Sequence, residues 1–122
     1  MSDSRSTLLH GFLDLCLLSL LADGDDYGMS LTQRLADAGL GAIPGGTLYP
    51  ALLRLEKGGL VEARRRSSTS GPARKYFSLT PAGRTELLRR QGEWRSFRTA
   101  LERVLDASAA ANETSCGSGR RS

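Results

Sequence analysis

The 122-residue sequence has a single histidine, His10, and only two lysines, Lys57 and Lys75, among its 17 basic residues. One histidine without a second ligand at metal-binding spacing offers neither a metal site nor an evident nucleophile–base pair. The glycine-rich run GLGAIPGG, residues 39–46, is not followed by the Lys-Ser/Thr of a phosphate-cradling loop. The acidic run Asp23-Gly24-Asp25-Asp26 is too short, and its ligands alternate too poorly, for a calcium loop; it reads as a helix stop followed by an N-cap at Asp26. These lacks point away from an enzyme, a metal and a cofactor. Cys16 sits in an apolar segment and Cys116 in a polar one, which is no disulfide framework and fits a reducing compartment. The apolar stretch Leu8–Ala22 carries His10, Asp14 and Ser19 and is too short to span a bilayer. The opening MSDSRST does not lead from a charged start into a cleavable apolar segment. The expectation is a cytoplasmic protein without a membrane partner.

What the sequence does have is arginine and regular apolar spacing. Fifteen of the 17 basic residues are Arg, whose rigid fork suits phosphate and guanine, although a GC-rich genome produces the same bias. The net charge of +4 is compatible with a polyanionic partner without demanding one. The length fits one domain with a modest core, for which a dimer interface would add stabilising surface.

Between Leu8 and Leu21, Leu9, Leu13, Cys16, Leu17, Leu20 and Leu21 form one helical stripe. Leu8, Phe12, Leu15 and Leu18 extend the apolar surface most of the way round, so this helix needs cover on nearly all sides. A second helix, about Tyr27 to Ala38, ends at Gly39, and the glycines that follow allow a sharp turn. The third helix starts near Thr47, capped by Thr47 or Gly46, with Pro50 in or next to its first turn and Gly58-Gly59 as its stop. Leu48, Ala51, Leu52 and Leu55 make its buried face, leaving Thr47, Tyr49, Pro50, Arg54 and Lys57 outward.

Leu60–Arg66 and Arg74–Leu79 read as two strands around a Ser/Thr/Gly/Pro turn, with Arg64, Arg65, Arg66, Arg74 and Lys75 on the hairpin rims. From Pro44 to Lys75 there are seven basic residues against two acidic ones, so the positive charge is local rather than general. Thr80-Pro81 then starts a long helix to about Ala107. Leu87, Trp94, Phe97, Leu101 and Val104 form a narrow apolar seam along it, suited to another helix.

The fold expectation is mainly α with a small β-hairpin: a winged helix-turn-helix followed by a long C-terminal dimerisation helix. Residues 1–7 are expected to be disordered, 8–79 to form the DNA-binding domain, 80–107 the dimerisation helix and 108–122 a disordered tail.

The motifs GTLYPALLRLEKGGLVEA (46–63) and GPARKYFSLTPAGRTEL (71–87), with YGMSL (27–31) opening the second helix, resemble the PadR family of bacterial transcriptional regulators. The resemblance covers about residues 8–107, and the short C-terminus is similar to the family's smaller branch. It implies an intertwined homodimer held by the first and last helices and bound to a pseudo-palindromic operator on double-stranded DNA. It carries DNA contact to Thr47, Tyr49, Tyr27, Arg74 and Lys75, beside Arg54, Arg64, Arg65 and Arg66 read from their place in the basic segment. It implies an interface built from Leu8, Phe12, Leu15, Leu87, Trp94, Phe97, Leu101 and Val104. Trp94 matches a tryptophan that lines a hydrophobic pore in some small members, which makes Leu8, Phe12, Leu15, Trp94 and Phe97 candidates for holding a hydrophobic small-molecule effector. Met29 and Ser30 depart from the family's usual aromatic and acidic residues, and GAIPG precedes Gly46 where many members carry Ser. Two rival readings are a winged-helix module that binds protein, and a hydrophobic-ligand binder without a DNA role.

Overall fold

The computed structural model describes the backbone of residues 4–68 and 71–116, and the side chains of residues 12–67 and 71–108. The chain divides into two compact units, Met1–Leu88 and Arg89–Ser122. The element order is α1 (Ser4–Leu21), β1 (Asp26–Tyr27), α2 (Gly28–Leu35), a π-helical turn (Ala36–Leu40), α3 (Gly45–Lys57), β2 (Val61–Ser68), β3 (Gly71–Leu79) and α4 (Pro81–Cys116). The architecture is the expected one, mostly helical with a winged-helix hairpin and a long C-terminal helix.

The core of the first unit is aliphatic. Leu13, Leu17, Leu18 and Leu21 from α1 meet Leu31 and Leu35 from α2, Leu48, Ala51, Leu52 and Leu55 from α3, and Val61 and Phe77 from the sheet. Removing each such leucine from water contributes about 1.5–3 kcal/mol, which is how three short helices of modest propensity hold together. Leu18, read as widening the outer surface of α1, is fully buried, while Cys16 and Leu20 are half-buried. Burial raises the Cys16 thiol pKa, which keeps it neutral. Leu87 is also buried in this core, so the exposed part of the seam lies further along α4.

The helix ends follow local chemistry. The backbone N–H groups of Gly59 and Leu60 bond back to the carbonyls of Glu56 and Leu55, and Gly59 takes φ +77°. That is a Schellman stop, which needs a residue free to enter the left-handed region. The turn from α2 to α3 passes through Gly39 and Gly41 at φ +104° and +86°, in keeping with the glycine run. Thr80 caps α4 through a bond from the Gly83 N–H to its Oγ1, 2.9 Å, with Pro81 in the first helical position.

Four expectations need correction. Neither Thr47 nor Gly46 caps α3: the helix begins at Gly45, the carbonyl of Pro44 receives the N–H groups of Thr47 and Leu48, and no side chain caps it. Pro50 therefore lies in the second turn, where it removes a backbone hydrogen bond to Gly46. Asp26 is not an N-cap but part of β1, a strand that the sequence pattern does not reveal, with Tyr27 at the cap position. Finally, α4 continues to Cys116 instead of ending near Ala107, and α1 begins at Ser4. Ala107, Ala109, Ala110 and Ala111 supply the helix propensity that a reading of this stretch as polar tail overlooks. Residues 1–3 and 117–122 of the two expected disordered ends lie outside the described residues.

The sheet is antiparallel in the order β1-β3-β2. Asp26 pairs with Phe77 and Tyr27 with Tyr76; on the other edge of β3, Arg64 faces Tyr76, Arg65 faces Lys75 and Arg66 faces Arg74. Side chains alternate across a strand, so this register sorts the hairpin's cations onto two faces. Arg64, Arg66 and Arg74 share one face with Tyr27 and Tyr76. Arg65 and Lys75 share the other with Ala63 and the core residue Phe77.

Candidate nucleic-acid interface

The sequence of α3, GGTLYPALLRLEK, puts its four apolar core residues on one side and leaves Gly46, Tyr49, Pro50, Leu53 and Lys57 exposed on the other. Thr47 and Arg54 border the buried face; Thr47 is half-buried and Arg54 exposed. Tyr49 is 49% exposed and its ring lies across Gly28 at the start of α2: a Cβ placed on Gly28 would collide with the Tyr49 hydroxyl and the neighbouring ring carbons. Gly28 is buried for that reason, so the Tyr-Gly pair that opens α2 has a steric role in seating Tyr49. The Tyr49 hydroxyl, which lies over Gly28, has no hydrogen-bond partner among the described residues, so it keeps a donor and an acceptor to offer.

The wing's first face is an alternating stack of cations and aromatic rings. Arg66 lies 4.3 Å from the Tyr76 ring centroid, Tyr76 meets Tyr27 edge-on at 5.2 Å, and Arg74 lies 4.5 Å from the Tyr27 centroid. Tyr27, read as a DNA contact, is half-buried inside this stack, and Tyr76 is a partner that the sequence reading did not single out. On the second face, Lys75 Nζ lies 5.5 Å from the Phe77 ring centroid and 3.9 Å from Glu56 of α3. That face therefore looks toward α3.

Four of the seven cations between Pro44 and Lys75 are paired with carboxylates. Arg54 bonds Asp14 of α1 at 2.8 Å, Arg64 lies 3.8 Å from Glu62, Lys75 pairs with Glu56, and Arg66 pairs with Asp25 in the loop before β1. Lys57 and Arg65 have no ion pair among the described residues, and Arg74 is held over Tyr27. All four pairs are solvent-accessible, where such pairs stabilise a fold by at most about 1 kcal/mol, so a phosphate can compete for the cation. Arg54, read as an outward contact, is exposed and also ties α3 to α1.

A second network, absent from the sequence reading, joins the sheet to α2. Asp26 is buried; its carboxylate accepts hydrogen bonds from the Tyr27 N–H (2.9 Å), Ser30 Oγ (2.9 Å) and Arg34 (2.8 Å), and Arg34 also reaches Asp23 at 3.2 Å. Burial raises the Asp26 pKa, but the bonds from Arg34, Ser30 and Tyr27 and the Arg34 charge outweigh it, holding the carboxyl below its ordinary value. The signal for it was the spacing Asp26–Ser30–Arg34, four residues apart each time on the entry to a helix.

A helix face with an exposed tyrosine and a half-buried threonine at its border, beside a hairpin with cations on both faces, is an arrangement for nucleic acid. The sequence profile of the transcriptional regulator PadR-like family matches residues 17–89, from the end of α1 into the first turns of α4. The chain belongs to the PadR-like family. A transcriptional regulator of Mycobacterium tuberculosis is 44% identical over 73 residues, 60% of this chain and 66% of that protein. Among solved structures, a PadR-like transcriptional regulator from Bacillus cereus superposes with a TM-score of 0.74 at 31% identity, covering 81% of this chain and 96% of that one. A PadR family regulator from Eggerthella lenta gives 0.73 at 32% identity, covering 84% and 89%. PadR-like proteins are transcriptional regulators rather than enzymes, and they bind DNA. No described helix of this PadR-like chain is long and apolar enough to cross a membrane.

The remaining expected site residues lie in α1 and α4. Phe12 and Leu15 are half-buried on α1, while Leu8, like His10, lies outside the residues whose side chains are described. In the second unit, Phe97, Leu101 and Val104 are 55%, 40% and 65% exposed, joined by Leu105 at 56%. Trp94 is half-buried and its ring lies 6.1 Å from that of Phe97.

Proposed function

We propose that this PadR-like regulator is a cytoplasmic repressor that binds a pseudo-palindromic operator as a homodimer. Each protomer lays α3 in a major groove, and the two half-sites lie about one DNA turn, roughly 34–36 Å, apart. Thr47 and Tyr49 contact base edges, Arg64, Arg65 and Arg74 hold phosphates, and Tyr27 keeps Arg74 in place. The observation that carries this reading is the outward face of α3, whose Tyr49 hydroxyl has no partner among the described residues, set beside a hairpin bearing cations on both faces. Phe97, Leu101, Val104 and Leu105 recur at helical spacing and are left open to solvent, which supports α4 as the pairing helix of the dimer, with Phe12 and Leu15 of α1 contributing. Footprinting on the promoter region beside its own gene tests the proposal. Two protected patches one turn apart are expected; absence of sequence-selective protection favours a protein-binding winged-helix module instead.

The stacked Trp94 and Phe97 support a second element, a hydrophobic effector that binds one inter-protomer geometry better than another and so changes the spacing of the two α3 helices. Titrating planar aromatic compounds against Trp94 fluorescence tests it. Quenching or a spectral shift that accompanies release from DNA is expected. Fluorescence unchanged by every compound removes the effector from the account, and a response without any DNA binding favours a ligand binder alone.

A further inference from the structure

The solvent face of α3 is poor in groups that read bases by paired hydrogen bonds. The helix contains no Asn or Gln, its one arginine is tied to Asp14, and Lys57 stands at its far end. In place of such groups, Gly46, Pro50 and Leu53 follow one another along the exposed side, with Leu53 47% exposed. Met29, 76% exposed, stands next to Gly28, against which the Tyr49 ring is laid, so the first turn of α2 borders this face. The patch is apolar at its centre. Lys57 stands at the far end of the helix, and on the hairpin face that looks toward α3 are Arg65 and Lys75, the latter reaching Glu56 on α3 itself.

Three cations beside an apolar patch, Lys57, Arg65 and Lys75, match a polyanion whose exposed groups include apolar ones. In the major groove of a DNA duplex, the apolar group on offer is the C5 methyl of thymine. Guanine presents two acceptors there and cytosine an amino donor, and neither finds a partner on Pro50, Leu53 or Met29. Placing them against this patch would strip water from polar atoms without replacing its hydrogen bonds. We propose that Leu53, Pro50 and Met29 read thymine methyl groups, so that the half-site of this regulator carries thymines where the outward face of α3 meets the groove. The proposal rests on the DNA-binding reading and adds the chemistry by which the sequence is chosen.

The test begins with duplexes that the protein itself enriches from a random pool. The enriched duplex is resynthesised with deoxyuridine in place of thymidine, which deletes the methyl groups and leaves every hydrogen-bonding group intact. The unaltered protein is expected to bind the deoxyuridine duplex more weakly, by about fourfold for each methyl buried. Leu53→Ala and Met29→Ala, both at exposed positions and checked by thermal melting, are expected to bring the ratio of the two affinities toward one. The dependence of binding on salt should stay as it was, because no cation is removed. Equal affinity of the unaltered protein for both duplexes overturns the proposal, as does a preference for thymine that persists in both variants. Failure to enrich any sequence from the pool overturns the DNA-binding reading and this proposal with it.

Discussion

Helix α3 and the wing stand side by side but are built on opposite principles. The exposed residues of α3 are one hydroxylated ring, two apolar residues, two glycines, a terminal lysine and Arg54, which is tied to Asp14. The wing is dense with charge, yet most of that charge is answered by carboxylates or aromatic rings of the protein itself. In the DNA complex proposed above, such a division separates sequence choice from grip: contacts to bases discriminate, while contacts to phosphates supply affinity that is indifferent to sequence. It also separates two kinds of positioning. Tyr49 is placed by shape, through the missing side chain of Gly28; Arg66 and Arg74 are placed by stacking on Tyr76 and Tyr27.

The largest expected effect comes from stripping the wing. Replacing Arg64, Arg65 and Arg74 together with Ala should weaken binding to every duplex by on the order of a hundredfold at moderate salt. Log affinity against log salt should flatten by about 0.9 for each phosphate that is no longer neutralised, and an unchanged slope breaks the assignment. Gly28→Ala comes next and acts on the helix alone. The clashing atoms are the far end of the Tyr49 ring, so the ring is expected to swing away at little cost in melting temperature. Affinity for the preferred duplex should then fall by about tenfold while random duplex is bound as before. A smaller change sharpens the picture of the paired cations: Asp25→Asn releases Arg66 and should steepen the salt dependence by up to about 0.9 per protomer, whereas Arg66→Ala should leave the slope nearly unaltered. Smallest is the effect of acid. The Asp26 carboxyl has a folded-state pKa below its unfolded value, so it stabilises the fold fully above about pH 4. That contribution is lost as the pH falls through the depressed folded value. Thermal melts between pH 2 and 6 should show this loss in the unaltered protein and a shallower one in Asp26→Asn.

Much of this was legible in the sequence because it depends on local chemistry. Gly58-Gly59 announces the end of α3, Thr80-Pro81 the start of α4, and the apolar spacing of Leu48, Ala51, Leu52 and Leu55 the buried face between them. What was not legible depends on tertiary pairing. β1 is two residues inside a run that reads as a turn, and it exists because Tyr27 and Asp26 pair with the edge of β3. Asp26 resembles a cap because caps are the common use of aspartate before a helix; its oxygens instead reach Ser30 and Arg34. The start of α3 reads two residues late because Gly45 and Gly46 are poor helix formers, and the Pro44 carbonyl draws them in. Charge misleads in a different way: the number of cations in the basic segment is right, but Asp14 and Asp25, which engage two of them, lie outside that segment.

The division of labour between helix and wing is tested most directly by measuring two variants in parallel, each against its preferred duplex and a random one across a range of salt. Thr47→Ala with Tyr49→Phe is expected to lose affinity for the preferred duplex alone, with the salt slope intact. Arg65→Ala with Arg74→Ala is expected to lose affinity equally for both, with a flatter slope. Identical behaviour of the two variants, in either discrimination or salt dependence, would contradict the account.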